Sequence, residues 1–143
     1  YQQLRLELSE EINKGLADVL REGDDIIVRL ANQGSFVSGS ADLRESFGGT
    51  LNRVGRAISK SDGLIKIEGH TDNVPVAFSE RFRSNWDLAA ARSASVASFL
   101  VNTSGIKQKR LVVNGFADTK PIDSNDTPAG RAKNRRIEII IKQ

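Results

Sequence analysis

The stretch Leu64-Ile65-Lys66-Ile67-Glu68-Gly69-His70-Thr71-Asp72-Asn73, followed after a polar connection by Asn85-Trp86-Asp87-Leu88-Ala89-Ala90-Ala91-Arg92, decides the fold. Leu64 to Gly69 reads as a strand, a short run rich in β-branched residues. A long polar connection runs on through Pro75 to Ser84. Leu88, Val96 and Leu100 then recur at helical spacing and predict a helix from about Asn85 to Asn102. Ser84, with Asp87 three residues on, resembles a capping box in which Asp replaces the longer Glu or Gln. Strand, connection and helix together make one repeat of an α/β layer.

Toward the C-terminus, Leu111 to Phe116 predicts a further strand and Asp118 to Pro128 is rich in turn formers. Ala129 to Asn134 suits a short helix, and Arg135 to Lys142 is a β-branched final strand. Toward the N-terminus, Leu43, Phe47, Leu51, Val54 and Ile58 form a second helical stripe, which Gly48 and Gly49 weaken. Before it lies a Gly/Ser-rich loop, Asn32 to Ser40, with Phe36 as its apolar plug, and before that the strand Asp25 to Leu30. Leu4, Leu8, Ile12, Leu16 and Leu20 recur every fourth residue and predict an amphipathic helix over residues 2–22, ended by Gly23. The expected fold is an α/β (α+β) two-layer sandwich: a mixed four-stranded sheet covered by two main helices. Residues 1–24 are expected to form an N-terminal helical linker arm and residues 25–143 the domain.

The length, 143 residues, fits one core. Hydrophobic residues make up 38% and charged residues 27%, which suits a soluble globular domain. No apolar run approaches the roughly 20 residues of a membrane-spanning helix. The chain begins at Tyr1 without a signal-peptide pattern and is expected to be a fragment of a longer protein. Without cysteine it has no disulfide, thiolate metal site or thiol chemistry. The net charge of +3 is concentrated in residues 104–143, which carry 9 basic and 4 acidic groups and only Phe116 as an aromatic. That is not the basic, aromatic-studded face of a nucleic-acid binder.

Arg92 is the strongest chemical signal. It occupies the same helical face as Leu88, Val96 and Leu100, so its guanidinium turns toward the interior, where it needs a partner. Asn85 shares that face at the helix start. Asp72 ends the first strand of the motif, at the kind of strand-to-loop junction where α/β folds place ligand sites. Asp72 and Arg92 either neutralise each other or clamp a zwitterion, the aspartate taking an ammonium and the arginine a carboxylate. Catalytic and metal signatures are weak. His70 is the sole histidine, no Gly-x-Ser-x-Gly elbow is present, and a zinc site would need His70 plus two or three carboxylates without any His-x-x-x-His spacing. Gly130, Arg131, Asn134, Arg135 and Arg136 cluster before the last strand. The adjacent Arg135 and Arg136 should point to opposite faces, one toward solvent.

Ile67-Glu68-Gly69-His70-Thr71-Asp72-Asn73, then Asn85-x-x-Leu88-x-x-x-Arg92-Ser93-x-x-Val96, then Gly115-Phe116 and Gly130-Arg131-x-x-Asn134-Arg135-Arg136-Ile137-Glu138 resemble the OmpA-like peptidoglycan-binding domain. The resemblance covers about residues 25–142. It departs at Ala89, often Ser in the family, and at Ser93, usually Ala. Asn73-Val74-Pro75-Val76 and Ser84-Asn85-Trp86-Asp87-Leu88 look like its flagellar stator branch, the MotB/PomB type. The resemblance implies binding of the diaminopimelate residue of peptidoglycan, with Asp72 on its ammonium and Arg92 on its carboxylate. Thr71, Asn73, Asn85, backbone groups near Leu88, and Arg135 would be further contacts. It also implies a non-enzymatic wall anchor without cofactor or metal, located in the periplasm on a single-pass inner-membrane protein. The implied partners are a second copy of the chain and an ion-conducting membrane subunit. An OmpA-like wall anchor of another envelope protein is the alternative.

Overall fold

The computed structural model describes residues 1–76 and 81–143, so part of the connection between Pro75 and Ser84 lies outside the described residues. Two short helices, α1 (Gln2–Glu7) and α2 (Ser9–Asn13), lead into a hairpin of β1 (Ala17–Glu22) and β2 (Asp25–Ala31). A single turn, α3 (Asn32–Ser35), precedes α4 (Gly48–Ser59). Then come β3 (Ile65–His70), the long α5 (Asn85–Asn102), β4 (Leu111–Gly115), α6 (Pro128–Asn134) and β5 (Arg136–Ile141). The sheet has five strands in the order β1-β2-β5-β3-β4. Among the described residues only β3 and β4 pair in parallel, and α5 is the crossover between them.

The two-layer mixed α/β architecture matches expectation, with two corrections. The sheet has five strands rather than four, because residues 17–22 form β1 and not the end of a helix. Spacing by four is even, so it satisfies the strand period of two as well as a helical i, i+4 face. Chain geometry decides between them. Gly15 takes φ 73 and ends the helical segment, while Gly23, at φ 61, opens the two-residue turn that pairs Glu22 with Asp25. Leu4 and Leu8 of the N-terminal helices are buried in the same core as Leu51, Val54, Ile67, Val96 and Ile139. These helices therefore pack into the body of the domain.

Helices α4 and α5 cover one face of the sheet. Ile65 and Ile67 of β3 and Ile137, Ile139 and Ile141 of β5 point into that layer, all fully or almost fully buried. Gly69 brings α5 close, since a Cβ there would collide with the Ala89 carbonyl and the Ser93 hydroxyl. Ser93, one of the departures from the family pattern, donates from that hydroxyl to the carbonyl of Asn114, 2.9 Å away. Ser84 caps α5 by accepting from the Asp87 N–H at 3.2 Å. The returning bond from the Asp87 carboxylate reaches the Arg83 N–H at 3.1 Å, not that of Ser84. The start of α5 is thereby fixed beside the end of β3.

Candidate functional site

At the edge where β3 ends, Thr71 and Asp72 are both buried although they lie in a loop. The Thr71 N–H donates to the Ala117 carbonyl at 2.8 Å, and its hydroxyl donates to the Asp72 carbonyl at 2.8 Å. Asn85, at the first turn of α5, donates from Nδ2 to the carbonyls of Val74 at 3.0 Å and Asp72 at 3.4 Å. The loop and the helix start are thus tied together. Asp72 Oδ1 accepts from the Val74 N–H at 3.0 Å, and Oδ2 accepts from Arg135 at 2.6 Å. Arg135 ends α6, and its side chain is 41% exposed while that of Asp72 is 9% exposed. The pair therefore has one solvent-facing member.

Arg92 is buried, as its place on the helical stripe required, but not by a salt bridge. Among the described residues no carboxylate lies within ion-pair distance of it. Its Nε donates to the Ser40 carbonyl at 2.9 Å, and its guanidinium carbon sits 5.1 Å from the centre of the Phe36 ring. The terminal nitrogens have no hydrogen-bond partner among the described residues. Burial pushes the Arg92 pKa down to about 10, and the positive charge of Arg135 adds to the effect. Arg92 is thus within electrostatic reach of a second guanidinium, that of Arg135, which is itself bonded to Asp72, and an anionic group beside them would relieve the repulsion.

The structure links Thr71, Asp72, Asn85 and Arg135 by hydrogen bonds and brings Arg92 within electrostatic reach of Arg135. Asn73 is exposed beside them. Leu88 is buried, and its N–H is taken by the Ser84 carbonyl at 3.1 Å. Sequence reasoning missed what holds Arg92: the hairpin closed by the Phe36–Leu43 bridge, which presents the Ser40 carbonyl. It also missed Asn32, buried with neither side-chain amide atom partnered among the described residues, whose backbone N–H donates to the Arg135 carbonyl at 3.0 Å. No local pattern marks either feature, because both depend on segments distant in sequence.

Of the adjacent pair one member was expected in solvent, and that member is Arg135, while Arg136 is enclosed. Arg136 faces away from the helices, as alternation requires. Its Nε meets Glu138 at 2.7 Å, and its other nitrogens donate to the carbonyls of Asn134 at 3.0 Å and Lys120 at 2.9 Å. The loop that carries Lys120 covers this end of the sheet's second face.

The two-layer α/β domain thus gathers charged side chains of Asp72, Arg135 and Arg92 at one end of its sheet. The family model described as the OmpA family matches residues 35–135, and the chain belongs to that family. Motility protein B of Bacillus subtilis is 32% identical over 120 residues, covering 82% of this chain and 45% of its own length. Peptidoglycan-binding protein ArfA of Mycobacterium tuberculosis is 40% identical over 92 residues, covering 64% of this chain and 26% of its own. The chain spans about half the length of the first curated relatives it matches. Among solved structures, the cell wall anchor of the T6SS from Pseudomonas aeruginosa superposes with a TM-score of 0.88 at 36% identity, covering 96% of this chain and 95% of that one. A putative MotB-like protein from Desulfovibrio vulgaris superposes with a TM-score of 0.90 at 25% identity, covering 100% and 91%. The chain is thus an OmpA-like domain with MotB-type relatives.

Proposed function

We propose that the domain holds its parent protein to the cell wall, without catalysis, by binding the diaminopimelate residue of a peptidoglycan stem peptide. The observation that carries this reading is Arg92, a buried guanidinium whose terminal donors have no hydrogen-bond partner among the described residues, within electrostatic reach of the Arg135 that pairs with Asp72. The free end of diaminopimelate bears an ammonium and a carboxylate on one carbon. Arg92 receives the carboxylate in bidentate fashion, and Asp72 receives the ammonium. Arg135, half in solvent, gives way at Asp72 and turns toward the carboxylate. Thr71 and Asn85 hold the loop in shape, while Asn73 and the backbone near Leu88 border the ligand.

The parent machine in this reading is a flagellar stator of the MotB/PomB type. The domain then sits in the periplasm on a single-pass inner-membrane protein that pairs with a second copy and with an ion-conducting subunit. Residues 1–24 lie on the membrane side. The likeness to Motility protein B supports this. A second reading, the anchor of another envelope assembly, is favoured by the 36% identity to the T6SS anchor over nearly the whole chain. Restoration of motility and motor localisation by the full-length gene separates the two.

The site is tested by co-sedimentation with insoluble peptidoglycan. Asp72→Ala and Arg92→Ala, each folded by circular dichroism, should bind at least roughly tenfold more weakly, since each loses a charge-assisted contact. Undiminished binding by both refutes the assignment. Release of soluble muropeptides by the wild-type chain would refute the non-catalytic role.

A further inference from the structure

On the sheet face opposite α4 and α5, Glu68 and His70 of β3 lie one strand from Glu138 of β5. Glu68 and Glu138 are direct cross-strand partners, and His70 pairs with Arg136. One donor atom from each of Glu68, His70 and Glu138 lies within 4.8 Å of the other two. His70 is 2% exposed, and neither ring nitrogen has a hydrogen-bond partner among the described residues. A buried imidazole with both nitrogens idle is costly, because each loses water without replacement. The nearest complement to Nε2 is Glu68 Oε1 at 3.6 Å. On its flat side the ring stacks on Phe116, with centroids 5.3 Å apart, which fixes its plane.

We propose that Glu68, His70 and Glu138 bind a divalent transition-metal ion, with zinc the ion whose ligand preferences the trio fits. One imidazole and two carboxylates are borderline and hard donors that zinc accepts, with a water completing the tetrahedron. Zinc bonds of about 2.0–2.2 Å require donor-to-donor edges of roughly 3.3–3.6 Å, so the Glu68–His70 edge already has the needed length and Glu138 must close in by about an ångström. Burial, with Arg136 adding, holds the His70 pKa down at about 4. The imidazole is therefore neutral, with a lone pair to donate, at physiological pH. Glu68 reaches the surface, its side chain 13% exposed, and provides the way in. Arg29 and Arg136 oppose a cation here, but both bind Oε2 of Glu138, at 3.0 Å and 2.7 Å, leaving Oε1 for the ion. Bound metal would tie β3 to β5 two residues before Asp72. It would thereby stiffen the strand end that carries the wall-binding loop.

The test is a zinc titration of the chelator-treated 143-residue chain by calorimetry at neutral pH, with cobalt(II) as a spectroscopic stand-in. The expected results are one equivalent bound, tetrahedral cobalt absorption, and a zinc-dependent shift of the His70 ring signals in NMR. His70→Gln and Glu68→Gln, each checked for folding, should bind at least roughly tenfold more weakly, a loss of about 1.4 kcal/mol. No saturable binding, or equal binding by the variants, overturns the site. If His70→Gln fails to fold, the wild-type ring signals and Glu68→Gln decide. Unmoved ring signals in zinc-saturated protein overturn it equally.

Discussion

Two buried arginines, Arg92 and Arg136, sit at the same end of the sheet on opposite faces, and their surroundings could hardly differ more. Arg136 is saturated: a carboxylate shared with Arg29 at its Nε, and backbone carbonyls at its remaining nitrogens. Arg92 has one carbonyl, one aromatic ring and no carboxylate among the described residues. A fully bonded buried charge is structural, since folding itself supplies every partner. A buried charge whose terminal donors have no partner among the described residues leaves those donors available to a group from outside. This asymmetry, more than burial, separates the candidate site from the scaffold beneath it.

The sharpest way to break the comparison is to remove each arginine and read stability and binding separately. Arg136→Ala strands Glu138 with only Arg29, and should cost about 3–5 kcal/mol by denaturant unfolding. Arg92→Ala strands no carboxylate among the described residues and should leave stability within about 1 kcal/mol of wild type. Equal destabilisation by the two would erase the distinction.

The underside can also be probed by pH. The folded His70 pKa of about 4 lies below its ordinary 6.5, lowered by burial first and by Arg136 next. Between these values the unfolded chain binds a proton that the folded chain refuses, so stability should fall as pH drops from 6.5 toward 4. The loss should approach roughly 3 kcal/mol, taking about 1.4 kcal/mol per unit. Glu68, Glu138, Lys120 and Arg29 also face this group, so the measurement that isolates it is the difference between wild type and His70→Gln, both free of metal. Parallel stability curves would show that His70 is not the source.

At the other face, Arg92→Lys tests whether a point charge suffices. An ammonium cannot reproduce the guanidinium fork, so wall binding should drop by about 1.5–3 kcal/mol, nearly as far as in Arg92→Ala. Full retention of binding by the lysine variant would mean that Arg92 contributes charge alone.

Much of this was legible in the sequence, and the rest failed for identifiable reasons. The stripe of Leu88, Arg92, Val96 and Leu100 located a buried arginine correctly, because helical periodicity is local. The strand Ile65–His70 and the terminal strand were legible from β-branched runs. The N-terminal helix was overextended because four-residue spacing fits both periods, and β1 became visible only through its pairing with β2. The partner of Asp72 is Arg135, 63 positions away, and Glu138 meets Glu68 across a strand pair, so neither proximity has a local trace. One of Arg135 and Arg136 was expected in solvent, and the sequence could not say which stays enclosed, because alternation gives a side chain's face but not what covers that of Arg136. The cover is the loop bearing Lys120.

The smallest effect should come from the ring beneath Arg92. Phe36 is 1% exposed and pins the guanidinium from below, while the Ser40 carbonyl fixes its Nε. Leucine at position 36 keeps an apolar plug but removes the π face, which contributes about 0.5–1 kcal/mol to such a contact. Phe36→Leu should therefore weaken peptidoglycan binding by roughly two- to fivefold in co-sedimentation, after correction for any unfolded fraction. In Arg92→Ala the same substitution should have no further effect on binding, because the ring then has no cation to hold. Additive losses in the double variant would show that Phe36 supports the pocket by packing alone, and that Arg92 is held in place by its backbone contact.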